Sequence, residues 1–305
     1  MSPSSITPVL VVGATGMLGG KIARALLAKE ASSVRLMVRP GSADDAKTKA
    51  KLGELAELGA HVVSGDLADS ASLAEATRGV EVVVSALQGG PEVIVEGQKA
   101  LLDAAKRNGV RRMLPSDFAV DLFEVEDGWH PLLNMRKEAD RFIAASGLEH
   151  VHVLNGVFME YLFEPQFGVF DPKAGTAAYW GDGAAKLDMT TTDDTALFTA
   201  EAALDRSLPS GKFAIAGDHL TVLEAARVYE EARGKHLEAR PLGSLADLER
   251  RLLEIKAANP DPMAIVPAAY QFAMFSGRAT LTNLQNGRYP GITPTRLRDY
   301  LAQAG

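Results

Sequence analysis

The chain has no cysteine among its 305 residues. Disulfide bridges, thiolate metal ligands and cysteine nucleophiles are therefore all excluded. A chain without disulfides is typical of a reducing compartment, so the sequence favours the cytoplasm. At this length one large domain, or a nucleotide-binding domain with a smaller companion, buries a core large enough to fold without such cross-links.

The chain also lacks a long apolar run and an excess of positive charge. No stretch approaches the roughly 20 apolar residues needed to cross a bilayer, and residues 1–8 carry no basic segment of the kind that begins a signal peptide. We therefore expect neither membrane insertion nor secretion. The formal charge of -7 offers no broad basic surface for nucleic acid. These properties favour a small-molecule partner; we expect no bound metal, and the oligomeric state stays open.

Short runs of β-branched and apolar residues alternate with amphipathic stretches in the first half of the chain. Six strands are expected, beginning near Val9, Val34, His61, Val80, Arg111 and His150. The amphipathic stretches cover residues 18–29, 46–58, 92–108 and 132–145. Because parallel strands need crossover helices, this alternation predicts an α/β fold with a Rossmann-type doubly wound parallel sheet.

A glycine-rich turn separates the first strand from the first helix, with the spacing G-x-x-G-x-x-G. Gly13 permits a tight turn, Gly16 lets the backbone approach a pyrophosphate, and Gly19 allows close packing of helix and strand. The helix N-terminus then faces the anion. The predicted dinucleotide-binding residues of this turn are Gly13, Thr15, Gly16, Met17, Leu18 and Gly19. A tight turn without a ligand is the alternative, and the surrounding strands and helix make it the weaker interpretation.

Arg39 stands at the end of the second strand, where an NAD-binding domain usually has an acidic residue for the ribose 2′-hydroxyl. An arginine instead favours a 2′-phosphate, because opposite charges about 4 Å apart attract by roughly 4 kcal/mol at the effective dielectric of a protein surface. The sequence therefore predicts NADP(H) as the cofactor. Lys47 offers a second positive contact, although a solvated surface lysine is an equally good interpretation.

The carboxyl ends of the third and fourth strands meet at the same edge of the predicted sheet. Asp66 and Leu67 follow the third strand and are expected to flank the adenine. Ala86, Leu87 and Gln88 follow the fourth strand and are expected near the nicotinamide ribose. The alternative for each residue is a turn position without ligand contact.

The strand-helix alternation ends at about Asn155. We expect a hairpin at residues 176–192, helices at 193–204, 221–232 and 245–258, and a last helix from Pro294. No linker is visible. The predicted division is an NADP-binding Rossmann domain at 1–155 and a smaller α-rich substrate-binding region at 156–305, which interleaves with the first and contributes in part to its sheet.

A series of motifs runs in order along nearly the whole chain. They are GATGMLGG, MVRPGS with Lys47, GDLAD, VVVSAL, GVRRMLPSDFAVD, VLNGVFMEYL and NGRYPGITP. Together they resemble the isoflavone reductase-like and NmrA-like branch of the atypical short-chain dehydrogenases, whose Pro-Ser-Glu/Asp-Phe turn is similar to residues 115–118. The resemblance implies an NADPH-binding Rossmann domain, a small C-terminal substrate domain and hydride transfer to phenylpropanoid-like or related aromatic substrates. It also places Ser116, Asn155 and Phe158 among the cofactor and pocket residues.

One position departs from this family pattern. The plant-type reductases of the group carry a lysine at the start of the helix after this turn, as a general acid/base or to orient the nicotinamide. Counting back from Ser146-Gly147 puts Arg136 at that position, with Lys137 beside it. Neighbouring helical residues point about 100° apart, so the two cannot both face the nicotinamide. The count favours Arg136, whereas the chemistry slightly favours Lys137 as the catalytic residue, because burial can tune a lysine toward neutral pH and an arginine holds its proton too tightly.

The sequence is interpreted as an NADPH-dependent reductase of a small aromatic or otherwise apolar carbonyl, enone or benzylic ether. The main alternative is a non-catalytic NADP(H) sensor of the NmrA type, which the departure at Arg136 keeps open. A sugar-nucleotide epimerase is less favoured, because no tyrosine lies between Pro115 and Ser146 to form the short-chain Tyr-x-x-x-Lys pair.

Overall fold

The computed structural model describes residues 6–30, 32–164 and 167–303. The chain forms two compact units, each assembled from three segments. The first unit consists of Met1–Asp117, Met135–Val153 and Thr195–Phe213, and the second of Phe118–Asn134, Leu154–Asp194 and Ala214–Gly305.

Strands and helices alternate in the first half of the chain, and this alternation is lost in the second half. The strands are β1 (Thr7–Val12), β2 (Ser32–Val38), β3 (His61–Ser64), β4 (Val82–Ser85), β5 (Arg112–Leu114), β6 (Glu149–Leu154), β7 (Val157–Phe158), β8 (Phe170–Asp171), β9 (Thr176–Tyr179), β10 (Lys186–Thr190), β11 (Gly211–Ala214), β12 (Asp218–Thr221) and β13 (Glu238–Pro241). The helices are α1 (Met17–Leu27), α2 (Ala46–Glu57), α3 (Ser70–Thr77), α4 (Gln98–Arg107), α5 (Pro131–Ala145), α6 (Met159–Leu162), α7 (Thr192–Leu204), α8 (Val222–Arg233), α9 (Leu245–Ala258), α10 (Val266–Phe275) and α11 (Leu297–Gln303). None of the helices in the described ranges is long and apolar enough to cross a membrane.

A seven-stranded sheet has the order β11-β6-β5-β4-β1-β2-β3. Strands β1 to β6 pair in parallel. Read from β3 through β1 to β4 and β6, this is the Rossmann strand order, and the order reverses between β1 and β4. The predicted fold class is confirmed. The crevice outside the carboxyl ends of β1 and β4 is the position at which such sheets bind ligands.

Burial explains why β1 and α1 take these positions. Val9, Leu10 and Val11 are fully buried, and a strand covered on both faces needs such an unbroken apolar run. Helix α1 contacts β1 and β2 and buries Ile22 and Leu26. This packing holds the N-terminus of α1 at the carboxyl end of β1.

Several local features differ from the sequence-based expectation, among them helix α10, which was not expected, and the last helix, which begins at Leu297 and not at Pro294. Helix α3 was not predicted; it is only eight residues long, and its signal is Asp69, whose side chain accepts a hydrogen bond from the Ala71 amide.

The predicted hairpin at 176–192 is wrong, because β9 lies between β13 and β8 whereas β10 lies between β12 and β7. The turn between β9 and β10 forms hydrogen bonds with distant segments. The Trp180 indole donates to Gln271 at 3.0 Å, and the amide of Gly181 donates to the carbonyl of Gly243 at 2.8 Å.

Candidate active site

The glycine turn closes tightly at the carboxyl end of β1. Gly13 has a φ of +89°, and a Cβ built there would lie 2.4 Å from the carbonyl oxygen of Ala86. A Cβ on Gly19 would lie 2.2 Å from the carbonyl oxygen of Gly13. Only a residue without a side chain fits either position, so these two glycines are required by the turn itself.

Gly16 is different, because the protein does not fill the space beside it. A Cβ there would meet only the Gly13 carbonyl oxygen, at 3.2 Å, with no other described atom within 4 Å. Gly16 immediately precedes α1, and its φ of -68° is open to any residue. The space above it lies at a helix N-terminus, where a pyrophosphate binds well. Thr15 and Met17 are exposed around this space and Leu18 is half-buried. The turn therefore fits the dinucleotide that the sequence predicts.

A lysine that the sequence analysis missed lies on the glycine turn. Lys51 of α2 donates a hydrogen bond from Nζ to the carbonyl of Thr15 at 3.1 Å, and another to the carbonyl of Gly16. Burial lowers the pKa of Lys51, and the positive charge of Lys47 lowers it further. The spacing of four residues between the two lysines puts them on one helix face and was the available signal.

Arg39 follows β2 and is exposed to solvent. Its carbonyl accepts a hydrogen bond from the Ser42 amide at 3.1 Å, in a turn that Gly41 completes with a φ of +78°. Because its side chain is exposed, Arg39 presents its guanidinium to solvent at the strand end where the 2′-phosphate of NADP(H) is expected.

Replacing Arg39 tests this contact. Arg39→Ala is expected to weaken NADPH binding by about 1.5–3 kcal/mol, the range for hydrogen bonds to charged groups, and to leave NADH binding nearly unchanged. Calorimetric titration of both cofactors measures the difference. Arg250→Ala, which removes an exposed arginine of α9, is the matched control. Equal NADPH and NADH affinities in the unaltered protein would contradict the assignment.

The ends of β3 and β4 hold the other predicted cofactor residues. Asp66 accepts a hydrogen bond from the Ala68 amide at 2.9 Å through Oδ1, so its side chain shapes its own turn. Leu67 packs on Gly97, where a Cβ would lie 2.8 Å from its Cδ1. After β4, Ala86 donates to the carbonyl of Val12 at 2.8 Å. Leu87 is half-buried and Gln88 is exposed. Their contacts with a cofactor stay predictions.

Ser116, in the turn after β5, forms three hydrogen bonds. Its hydroxyl donates to the carbonyl of Leu87 at 2.7 Å, and its amide donates to Gln98 at 3.0 Å. Its own carbonyl accepts from Nε of Arg136 at 2.9 Å. The guanidinium of Arg136 therefore lies at the carboxyl end of β5, on the residue that is bonded to Leu87, two residues after the end of β4. Lys137, the next residue of α5, is only 8% exposed.

Asn155 and Phe158 belong to the second unit. The amide nitrogen of the Asn155 side chain donates to the carbonyl of Gly156 at 3.3 Å. Its side-chain oxygen is buried and receives no hydrogen bond from the described residues. A buried acceptor of this kind is costly unless a donor reaches it, so Asn155 fits the role of binding an amide or hydroxyl group of a ligand. Phe158 is half-buried immediately before α6.

In the second unit, Phe158 is the first of four aromatic side chains that contact one another in succession. Its ring centroid lies 6.0 Å from that of Tyr161 in an edge-to-face contact, and Tyr161 lies 6.2 Å from Phe167 with the planes 9° apart. Phe167 lies 6.2 Å from Tyr270. All four rings are half-buried. We call these four residues the aromatic row.

Comparison with known proteins identifies the family of the chain. The NmrA-like family matches residues 6–266. Pinoresinol reductase 2 of Arabidopsis thaliana is 32% identical over 82% of this chain and 83% of its own. Phenylcoumaran benzylic ether reductase PT1 of Pinus taeda is 28% identical over 96% of this chain and 97% of its own. The solved structure of AtPrR2 with NADP+ and (+)pinoresinol superposes with a TM-score of 0.84 at 27% identity, covering 97% of this chain and 98% of that one.

The fold and the glycine turn are those of a dinucleotide-binding protein of the Rossmann type, and the relatives place it among the oxidoreductases. The chain belongs to the NmrA-like family. The predicted family, the predicted class of NADPH-dependent reductase and the predicted cofactor, NADP(H), are confirmed. These relatives are reductases, which favours catalysis over the sensor that the sequence left as the main alternative.

Proposed function

We propose that this chain reduces an aromatic ether, transferring hydride from NADPH to a benzylic carbon so that the C–O bond opens. The names of its relatives support this substrate class. Residues 1–155 would hold the cofactor, with Asn155 at their end, and residues 156–305 the substrate. The absence of cysteine supports a reducing compartment such as the cytoplasm.

The observation that carries the proposal is the aromatic row. Partly exposed aromatic rings at centroid spacings of 6.0 to 6.2 Å offer faces and edges on which further rings pack favourably. A substrate with aromatic rings is therefore a better match than a small aliphatic carbonyl compound.

The reaction needs one hydride and one proton. Bound NADPH supplies the hydride, which forms the new C–H bond as the benzylic C–O bond breaks. The released oxygen carries the bonding electron pair and takes up the proton. A guanidinium at the place of Arg136 would stabilise that developing negative charge, whereas Lys137, its neighbour on α5, would act as the proton donor in the alternative assignment. Gly16, Arg39 and Lys51 would bind and orient the cofactor.

Turnover tests the proposal directly. NADPH consumption is measured with pinoresinol and a phenylcoumaran, and with a simple aromatic ketone and an enone for comparison. Reduction of the ethers with little turnover of the ketone and enone is expected. NADPH binding without turnover of either ether would contradict the proposal.

The aromatic row gives a second measurement. Tyr161→Ala removes one ring contact, worth roughly 0.5–1.5 kcal/mol, so the KM for the ether should rise about two- to tenfold. NADPH affinity should not change. Tyr300→Ala, which removes a half-buried tyrosine of α11 outside the row, is the matched control. An unchanged KM in Tyr161→Ala would place the substrate elsewhere.

A further inference from the structure

Three ionisable side chains meet in the interior of the first unit. Asp117 follows Ser116 after β5, Asp140 lies on α5 and His152 lies on β6. They are 0%, 3% and 5% exposed, respectively. Nδ1 of His152 lies 2.8 Å from Oδ2 of Asp117 and 3.6 Å from Oδ1 of Asp140. We call these residues the Asp-His-Asp cluster.

The two carboxyl groups of this cluster have oxygens that lack hydrogen-bond donors among the described residues. A carboxylate can only accept, so Nδ1 of His152 donates to Asp117. Both carboxyl oxygens of Asp140 and Oδ1 of Asp117 are buried and receive no hydrogen bond from the described residues. Two buried carboxylates cannot face each other in the ionised state without a large cost. A proton on Asp140, donated to Asp117, would remove the repulsion and pair one oxygen of each carboxyl group.

The charge balance around Asp140 agrees with this arrangement. Burial, followed by the negative charge of Asp117 and a hydrogen bond with it, raises the pKa of Asp140 to about 10. The positive charge of Arg136, one turn earlier on α5, acts in the opposite direction on that pKa. On β6, the ring centroid of His150 lies 5.2 Å from that of His152.

The contact distance favours a proton over a metal ion. The ligand atoms of all three residues lie within 4.8 Å of one another, as a metal would need. Two ligands of a tetrahedral zinc ion, each bonded at roughly 2.1 Å, would however lie about 3.4 Å apart. The 2.8 Å between Asp117 and His152 is the length of a hydrogen bond.

We propose that the Asp-His-Asp cluster holds one shared proton and thereby positions Arg136. With this proton in place, the turn after β5 and helix α5 would be joined by two hydrogen bonds, of which the structure shows the first directly. Ser116 accepts a hydrogen bond from Arg136, and the next residue, Asp117, would accept one from Asp140. The next residue, Phe118, has a φ of +34°. This conformation is costly for a bulky residue and persists only where the surrounding structure stabilises it. Asp117 and Asp140 are thus positioning residues; this half of the proposal rests on the proposed function, whereas the shared proton does not.

The shared proton makes folding depend on pH. The ordinary pKa of Asp140 is 3.8, and its pKa in the folded protein is about 10. Between these values the folded chain binds one more proton than the unfolded chain. The contribution to stability is therefore fully present below the lower value and is lost as the pH rises toward the upper one.

Asp140→Asn tests the proton. The asparagine amide donates permanently to Asp117 and cannot ionise. Urea unfolding is measured between pH 6 and 9. For each pH unit, the equilibrium constant of unfolding should rise tenfold more in the unaltered protein than in Asp140→Asn. Asp103→Asn, which replaces an exposed aspartate of α4, should keep the slope of the unaltered protein. Equal slopes in the unaltered protein and Asp140→Asn would overturn the proposal, as would stoichiometric Zn2+ binding that Asp140→Asn abolishes.

Positioning is tested by comparing Asp140→Asn with Asp140→Leu in single-turnover reduction of an ether by NADPH. The leucine cannot bond to Asp117, so hydride transfer should slow about tenfold or more with NADPH affinity and substrate KM nearly unchanged. The asparagine should restore the rate to within about twofold. A leucine variant that is folded and reacts at the normal rate would overturn the positioning role, and so would an asparagine variant as slow as the leucine one. The unfolding slopes need no substrate, so failure of the proposed function would leave that result intact.

Discussion

Gly16→Val is expected to abolish binding of both NADPH and NADH while the protein stays folded. The φ of Gly16, -68°, is open to valine, and a Cβ there meets one atom of the protein, the Gly13 carbonyl oxygen, at 3.2 Å, a tight contact that a shift of a few tenths of an ångström relieves. The side chain would instead fill the space at the N-terminus of α1 where the pyrophosphate is expected. Because both cofactors share the pyrophosphate, neither should bind. Calorimetric titration and thermal unfolding measure the two halves of this prediction.

Two other glycines serve as controls for Gly16→Val. Gly53, on α2, has no neighbour within 4 Å of a built Cβ, so Gly53→Val should bind NADPH normally. Gly19→Val should instead fail to fold stably, because its Cβ would lie 2.2 Å from the Gly13 carbonyl oxygen. Micromolar NADPH binding in a folded Gly16→Val variant would show that the pyrophosphate lies elsewhere.

Arg136→Ala is expected to slow hydride transfer about a hundredfold or more, the scale for losing one group that stabilises charge in a transition state. NADPH affinity should change little. The sequence slightly favoured Lys137 on chemical grounds, but the structure gives Arg136 a defined hydrogen bond to Ser116 at the carboxyl end of β5. Lys137 is buried beside it, and we expect Lys137→Ala to slow hydride transfer less. Single-turnover reduction of an ether by NADPH compares the two variants.

The relative rate losses in Arg136→Ala and Lys137→Ala decide which of the two residues takes part in catalysis. If Lys137→Ala is the more damaging change, Lys137 is the proton donor and Arg136 only ties α5 to the turn. Arg136→Lys separates charge from shape, since a lysine keeps the positive charge without the planar guanidinium. We expect it to retain more activity than Arg136→Ala. Normal hydride transfer in both alanine variants would exclude either residue from catalysis.

The first half of the fold could be predicted because its signals are local. Apolar strand runs, amphipathic helices and the spacing of Gly13, Gly16 and Gly19 each lie within a short stretch of sequence. Helix α3 was missed because eight residues carry too little periodicity. The predicted hairpin at 176–192 failed because strand pairing depends on distant partners. Turn residues suggested that β9 and β10 pair, but β13 and β12 pair with them instead.

Sequence by itself determined the cofactor class, because the spacing of the glycine turn and the charge of Arg39 indicate NADP(H) at the ends of strands that local patterns locate. It also determined the family, since ordered motifs persist along the chain. Only the tertiary structure decided that Lys51 lies on the glycine turn and that Asp117, Asp140 and His152 meet in the interior. These residues come from separate elements, and neither the burial of a single polar side chain nor a shared proton leaves a periodic signal in sequence. The physical reason is that the hydrogen bonds and pKa values of such groups depend on distances that folding alone sets.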